Sequence, residues 1–232
     1  MVEPQRPRQV SEYAEACLNA LSASGLGGLI SLGGAFGLAH YFEYRPTFDI
    51  DAWWTEPVGD ENRRQVVRVL EEALRRFGQV RTRAWGEVVS IELRQQGKTV
   101  FGFQVARRSA ALQEPRVGPW PGGIRIDSFE DLVAGKMTAL VERGAPRDFR
   151  DIHMLCRSGH CTVARCWEVW QVRQQLAGED ADRRRAVLAI QTHLARLEQA
   201  RPLAWIADVE QRAAAEQLRA WFQTEFLHGL QD

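Results

Sequence analysis

Gly33-Gly34-Ala35-Phe36-Gly37-Leu38-Ala39-His40-Tyr41-Phe42-Glu43-Tyr44-Arg45-Pro46-Thr47-Phe48-Asp49-Ile50-Asp51 sets a double-glycine turn and a short apolar segment ahead of two aspartates one residue apart. Arg45-Pro46 ends the apolar segment, so Thr47 to Trp54 reads as a strand. Successive side chains on a strand point to opposite faces, which puts Asp49 and Asp51 on one face and Ile50 on the other. Two carboxylates sharing a face repel each other, and a divalent cation between them offsets that repulsion. The glycines upstream let backbone approach a phosphate closely. The combination points to a metal–triphosphate site. Taken alone, the same aspartates are equally consistent with solvated acids at a strand end.

Moving outward, Ser11 to Ser24 carries Tyr13, Ala14, Cys17, Leu18 and Leu21 at the spacing of an amphipathic helix, and Leu29 to Leu32 is a short buried strand running into the glycine turn. A short helix is expected over Ala35 to Phe42. Glu61 to Phe77 holds Val66, Leu70, Ala73, Leu74 and Phe77 on one helical stripe. Val88 to Arg94 and Thr99 to Val105 alternate, with Gln96-Gly97 between them as a hairpin turn. A Pro/Gly-rich loop, Glu114 to Gly123, leads to a short strand at Ile124 to Ile126. Asp127-Ser128-Phe129-Glu130 reads as a capping box for a helix to Arg143, and Pro146 suits the first turn of a helix over Arg147 to Arg157. From Thr162 the chain reads as all-helical, with Asp208 capping a last helix to Phe226. The expected division is 1–157, an α/β (α+β) domain with a mixed sheet flanked by helices, and 158–232, a helical bundle.

The chain of 232 residues is 45% hydrophobic and 26% charged, ordinary values for a globular protein. Its formal net charge is zero, so no global field attracts nucleic acid, and any such binding needs a local patch. The polar N-terminus has no signal-like apolar core, and the apolar run Gly25 to Ala39 is too short to span a bilayer. Four cysteines do not suggest a disulfide framework. A cytoplasmic protein with no membrane partner is the expectation.

A second constellation lies downstream. Leu132, Lys136, Ala139, Leu140 and Arg143 share one helical stripe, so Lys136 sits where a charge needs a partner, unless it snorkels from the stripe's edge. Asp148, Ile152 and Leu155 share a stripe on the next helix, with Asp151 three residues from Asp148. An inward lysine, an inward aspartate and Arg143 facing the Asp49–Asp51 strand would suit a nucleoside triphosphate, carboxylates for the metal and cations for phosphate. The plainer reading pairs Arg147 with Asp151 as a surface i, i+4 contact.

These elements, in this order, resemble the nucleotidyltransferase-like AbiEii toxin family, a branch of the polymerase-β-type nucleotidyltransferases. Gly33-Gly34 with Arg45-Pro46-Thr47-Phe48-Asp49-Ile50-Asp51 is similar to the family's first motif. Lys136-Met137-Thr138-Ala139-Leu140-Val141-Glu142-Arg143 and Arg147-Asp148-Phe149-Arg150-Asp151-Ile152 are similar to the later one. The resemblance covers roughly Leu29 to Leu155. It implies a nucleotidyltransferase fold and transfer of a nucleoside monophosphate from an NTP to an acceptor hydroxyl, with Mg²⁺. Asp49 and Asp51 would be metal ligands and Lys136 would neutralise phosphate charge. Asp148 would act as base or orient Lys136. Gly33, Gly34, Arg45, Thr47, Arg143, Arg147 and Asp151 would surround the nucleotide. The family also suggests a tRNA 3′ end or other RNA as acceptor, and a cognate antitoxin protein as partner.

Two departures stand out. The family's turn often carries Ser or Thr where this chain has Ala35, and Gln104 occupies the position expected to hold a third carboxylate, with Glu92 a substitute on the partner strand. They motivate an alternative: a degenerate nucleotidyltransferase fold that binds a nucleotide or partner without chemistry. A transferase acting on a protein or small molecule is a further one. His153, Cys156, His160, Cys161 and Cys166 match no familiar zinc spacing, and helical spacing does not converge them, which favours buried cysteines. Of Trp53 and Trp54, one is expected in the core and the other at the surface, unless they stack a base. The arginines of Glu61 to Phe77 read as a solvated face interspersed with glutamates rather than as an RNA-binding patch.

Overall fold

Ser11 opens the first helix, its hydroxyl accepting the Ala14 N–H at 3.2 Å, and α1 runs Glu12–Ala23. The structure, a computed structural model, describes residues 3–55 and 57–227; Met1 and Val2 of the polar N-terminal stretch lie outside the described residues. The expected elements follow: β1 (Ile30–Leu32), α2 (Gly34–Ala39), β2 (Asp49–Trp54) and α3 (Asp60–Arg75). Next come β3 (Gln79–Trp85), β4 (Val88–Gln95) and β5 (Lys98–Ala106), then β6 (Arg116–Val117) and β7 (Arg125–Ile126). The helices α4 (Phe129–Glu142), α5 (Pro146–Arg157), α6 (Val163–Ala177), α7 (Arg183–Ala200) and α8 (Val209–Trp221) complete the chain, and α8 continues into a π-helical turn, Phe222–Phe226.

Seven strands form one mixed sheet in the order β3-β4-β5-β2-β1-β7-β6. The β2 strand pairs antiparallel with β1 and parallel with β5, and β1 pairs parallel with β7. One face is apolar. Ile50, Ala52 and Trp54 of β2, with Ile91, Leu93, Phe101, Phe103 and Val105, pack in one buried cluster with Leu18 and Leu21 of α1 and Val66, Leu70 and Leu74 of α3. Each large aliphatic side chain buried there contributes about 1.5–3 kcal/mol. Period-2 alternation then leaves Asp49, Asp51 and Trp53 on the other face.

Local chemistry explains the turns. Gln96 and Gly97 take φ of 49° and 78°, the positive pair that a tight two-residue hairpin requires. Two strands had no signal in the sequence. Arg81, Arg83 and Trp85 of β3 are exposed at the sheet edge with only Val80 and its neighbours supporting pairing, so no alternation marks the strand, while the charged residues suit an edge. The two-residue β6 is hidden in the Pro/Gly-rich loop. The cap of α4 is also one residue later than expected. Ser128 accepts the Asp131 N–H at 3.0 Å and donates to Asp131 Oδ2 at 2.6 Å, because Asp127 is turned into the fold instead.

The chain forms two compact units that part inside α4, Met1–Leu132 and Val133–Asp232, so the second begins well before the expected boundary at 157/158. Aromatic packing among the later helices accounts for this. Phe149 of α5 meets Phe222 edge-on at 4.9 Å and His153 meets Trp221 at 5.0 Å, so α5 shares its core with the C-terminal helices. Trp167, Trp170 and Phe226 extend that core. No helix among the described residues is long and apolar enough to cross a membrane.

Candidate active site

In the first unit, β1 delivers the chain to Gly33, whose N–H donates to the Asp51 carbonyl at 2.8 Å. Gly34 follows at φ +58°, a left-handed conformation that L side chains rarely adopt. A Cβ at Gly34 would lie 2.2 Å from Asp51 Oδ2, and one at Gly33 would lie 2.3 Å from Trp53 Nε1 and 3.2 Å from Asp127 Oδ2. The turn is thus pressed directly onto the Asp51 side chain. Glycine is required here for contact with a carboxylate as much as for any approach to phosphate.

Asp49 is exposed and Asp51 half-buried. In the register with β5, Asp49 faces Gly102 and Asp51 faces Gln104. Gln104 therefore does stand beside Asp51, at the place where a third acid was sought. Glu92 pairs with Gly102 from the other side, which puts it two strands from Asp49 on the same face. Among the described residues no group of three or more His, Cys, Asp or Glu side chains is assembled to hold a metal. Two hard carboxylate oxygens donors on one face still fit Mg²⁺, which is commonly held by one or two carboxylates while phosphates and water complete its shell. Arg45 and Thr47 lie on the segment between α2 and β2. The Arg45 guanidinium rests over the Tyr44 ring at 5.8 Å and its Nε donates to the Tyr44 hydroxyl at 3.2 Å.

Behind the turn is a buried polar network that no sequence pattern announced. Asp127 accepts from the Ser31 hydroxyl at 2.5 Å and pairs with Arg108, and burial pushes its carboxyl up to about 6 despite the arginine. Ile126-Asp127-Ser128, an acid squeezed between a strand and a helix cap, was the one available clue. His40, at the end of α2, is buried too. Its Nδ1–H donates to the Phe36 carbonyl at 2.8 Å and its Nε2 accepts from Trp120 Nε1 at 2.8 Å, so the ring is neutral; burial lowers its pKa to about 4.

In the second unit, Lys136 does not snorkel. Its Nζ lies 2.6 Å from Asp151 Oδ2, with the two side chains 10% and 0% exposed. Asp148 is paired elsewhere. It takes the Arg143 guanidinium through two bonds of 2.8 Å and accepts the Ala145 N–H at 3.0 Å, closing the N-terminus of α5. The expectation that Asp148 orients Lys136 is therefore corrected: Asp151 does so, and Asp148 holds Arg143. The plainer alternative, a surface pair of Arg147 with Asp151, does not hold, since Asp151 is fully buried while Arg147 is exposed. One turn apart on α5, the two acids tolerate each other because each has its own cation.

The remaining candidates resolve simply. Trp54 is in the core and Trp53 half-buried on the aspartate face. Arg64 and Arg68 pair with Glu61, Arg75 with Glu71 and Arg63 with Glu87, so the arginines of α3 form an ion-paired face. An open cleft of about 720 Å³ beside that face, lined by Trp54, Arg63, Thr82 and Val89, includes neither aspartate. Contrary to the spacing argument, three thiols do converge: Cys166 Sγ lies 3.5 Å from Cys161 Sγ and 3.8 Å from Cys156 Sγ, because α6 returns alongside the end of α5.

Comparison with known proteins completes the assignment. No curated protein matches the sequence. Among solved structures, a candidate nucleotidyltransferase from H. pylori superposes with a TM-score of 0.52 at 17% identity, covering 96% of this chain and 100% of that one, which shows the fold. A STING-associated CdnE c-di-GMP synthase from Capnocytophaga granulosa aligns over 97% of this chain and 84% of its own at 9% identity, but its TM-score of 0.26 carries no weight. The model of the nucleotidyl transferase AbiEii toxins of type IV toxin–antitoxin systems matches residues 16–228, nearly the whole chain, and the protein belongs to that family.

Proposed function

We propose that this nucleotidyltransferase moves a nucleoside monophosphate from an NTP to the terminal hydroxyl of an RNA, a tRNA 3′ end in the first instance, in the cytoplasm. The observation that carries the reading is the contact between Gly34 and Asp51: turn and carboxylate are built as one piece, with Asp49 on the same face and open to solvent. Asp49 and Asp51 would hold Mg²⁺ together with the NTP. When bound, Mg²⁺ would supply Lewis-acid charge to the phosphates, and pyrophosphate would leave by in-line displacement. In that displacement the acceptor oxygen bonds to the α-phosphorus as its bond to the β-phosphate breaks, and the acceptor's proton passes to water. Lys136, oriented by its contact with Asp151, is the proposed cation for the phosphates. Arg143 and Asp148 set the start of α5. A cognate antitoxin is the proposed protein partner, in keeping with the family's toxin–antitoxin setting.

Gln104 beside Asp51 favours a second reading, nucleotide binding without transfer. One experiment decides between them. The protein is incubated with each labelled NTP, Mg²⁺ and total tRNA, beside Asp49→Asn and Asp51→Asn. The expected result is metal-dependent label on RNA with wild type and a loss of at least about 100-fold in each variant, the scale of removing a charge-stabilising group. NTP binding without transfer to any acceptor would establish the second reading. Label on protein or a small molecule would replace RNA as the acceptor.

A further inference from the structure

We propose that Arg108, acting through Asp127 and Trp53, is a positioning residue that holds the Gly33–Gly34 turn in place and so fixes Asp51. Its catalytic consequence rests on the function proposed above; the geometry does not. Arg108 lies just beyond β5, and its side chain is only 12% exposed. The guanidinium pairs with the Asp127 carboxylate, and a second nitrogen stands 3.8 Å from Asp131 Oδ1. It also donates to the Ser31 hydroxyl at 3.5 Å and sits 5.8 Å from the centre of the Trp53 ring. Ser31, Trp53 and Asp127 come from β1, β2 and the segment after β7, the three pieces of backbone around the turn, and Asp131 comes from the first turn of α4.

The line from Arg108 to Asp51 has no slack. Ser31 and Trp53 are register partners across β1 and β2. The Trp53 indole nitrogen and Asp127 Oδ2 are among the atoms that a Cβ at Gly33 would meet, so the face of Gly33 rests against two of the partners of Arg108. Gly34, the next residue, has its own missing Cβ filled by the Asp51 carboxylate. Without the guanidinium, Asp127 keeps the Ser31 hydroxyl as a side-chain partner but loses its cation, and Trp53 loses the cation beside its ring. Both would lose the group that fixes them. Because Trp53 and Asp127 pack directly against Gly33, and Gly34 against the Asp51 carboxylate, a shift of either side chain is passed to the turn and Asp51.

Arg108→Met and Arg108→Lys separate this role from general stability. The first readout uses the metal-free protein: ¹⁵N chemical shifts of the Gly33, Gly34 and Asp51 amides and of the Trp53 indole N–H. Arg108→Met should move these four resonances while the amides of α1 and α3 stay in place, and Arg108→Lys, which restores a charge beside Asp127, should bring them most of the way back. The second readout is Mn²⁺ titration with an NTP present. There Arg108→Met should weaken binding by about 10–100-fold, as loss of an outer support to a metal ligand does, with recovery in Arg108→Lys. Unmoved turn resonances in Arg108→Met would overturn the inference even if the wild type is an active transferase. So would shifts spread evenly over α1 and α3, which mark global loosening. If the turn resonances move as expected but the wild type binds no Mn²⁺–NTP and transfers nothing, the positioning geometry stands and it is the proposed function that fails.

Discussion

Gly34 shows how much one residue carries at this site. The pair Gly33-Gly34 is visible in the sequence as a turn, and access for a phosphate is one reason for it. The structure adds a stricter reason, a φ of +58° and a Cβ position already occupied by Asp51 Oδ2. Gly34→Ala should therefore act twice. The left-handed backbone costs about 1–2 kcal/mol for a residue with a Cβ, lowering the melting temperature, and the methyl group must displace the Asp51 carboxylate. Transfer and Mn²⁺ binding should fall together by far more than the stability loss explains. Normal metal binding by Gly34→Ala would show that the close contact does not hold the Asp51 carboxylate in place. Asp127 belongs to the same scale, yet a lone acid between a strand and a cap has no periodicity to give it away.

At the scale of elements, α4 and α5 were readable as helices from their stripes and from Pro146. Lys136 was marked as a charge in need of a partner. Which acid it takes was not readable. Asp148 and Asp151 are one turn apart on α5, and a stripe pattern ranks them nearly alike. The choice depends on the short connection at Gly144-Ala145, which turns Asp148 back onto the Ala145 N–H and Arg143 and leaves Asp151 for Lys136. Breaking this buried pair from one side leaves an uncompensated charge, so Lys136→Met should cost about 3–5 kcal/mol in urea unfolding. The double variant Lys136→Met with Asp151→Leu should recover most of that stability while leaving transfer abolished. Recovery of transfer with stability would reduce Lys136 to a structural residue.

For the whole molecule, two buried groups set opposing responses to acid. His40 has its pKa lowered from 6.5 to about 4, so the unfolded chain binds that proton first and stability is lost as pH falls from 6.5 towards 4. Asp127 has its pKa raised from 3.8 to about 6, so the folded chain binds that proton first and stability is gained as pH falls from 6 towards 3.8. Each effect is about 3 kcal/mol, and over pH 4–6 they largely cancel. Asp127→Asn removes the gain and leaves the loss, so its melting temperature should drop on acidification from pH 6.5 to 4.5 more steeply than that of wild type. Equal slopes would show that the Asp127 carboxyl is not raised above its ordinary range. None of this was legible beforehand, because neither residue lies on a patterned face. What the sequence determined by itself is local: the paired aspartates on one strand face, the glycine turn, the amphipathic helices and the motif order that marks the family. Those follow from backbone periodicity and from residue-specific turn and cap chemistry, which operate over a few positions. The tertiary structure put the expected Gln104 in register with Asp51, and it alone decided that Arg108 braces the turn through Asp127 and that Lys136 belongs to Asp151. Each of these depends on which distant segments are brought side by side, as in the parallel pairing of β2 with β5, and burial then makes every polar group take whatever partner that arrangement supplies.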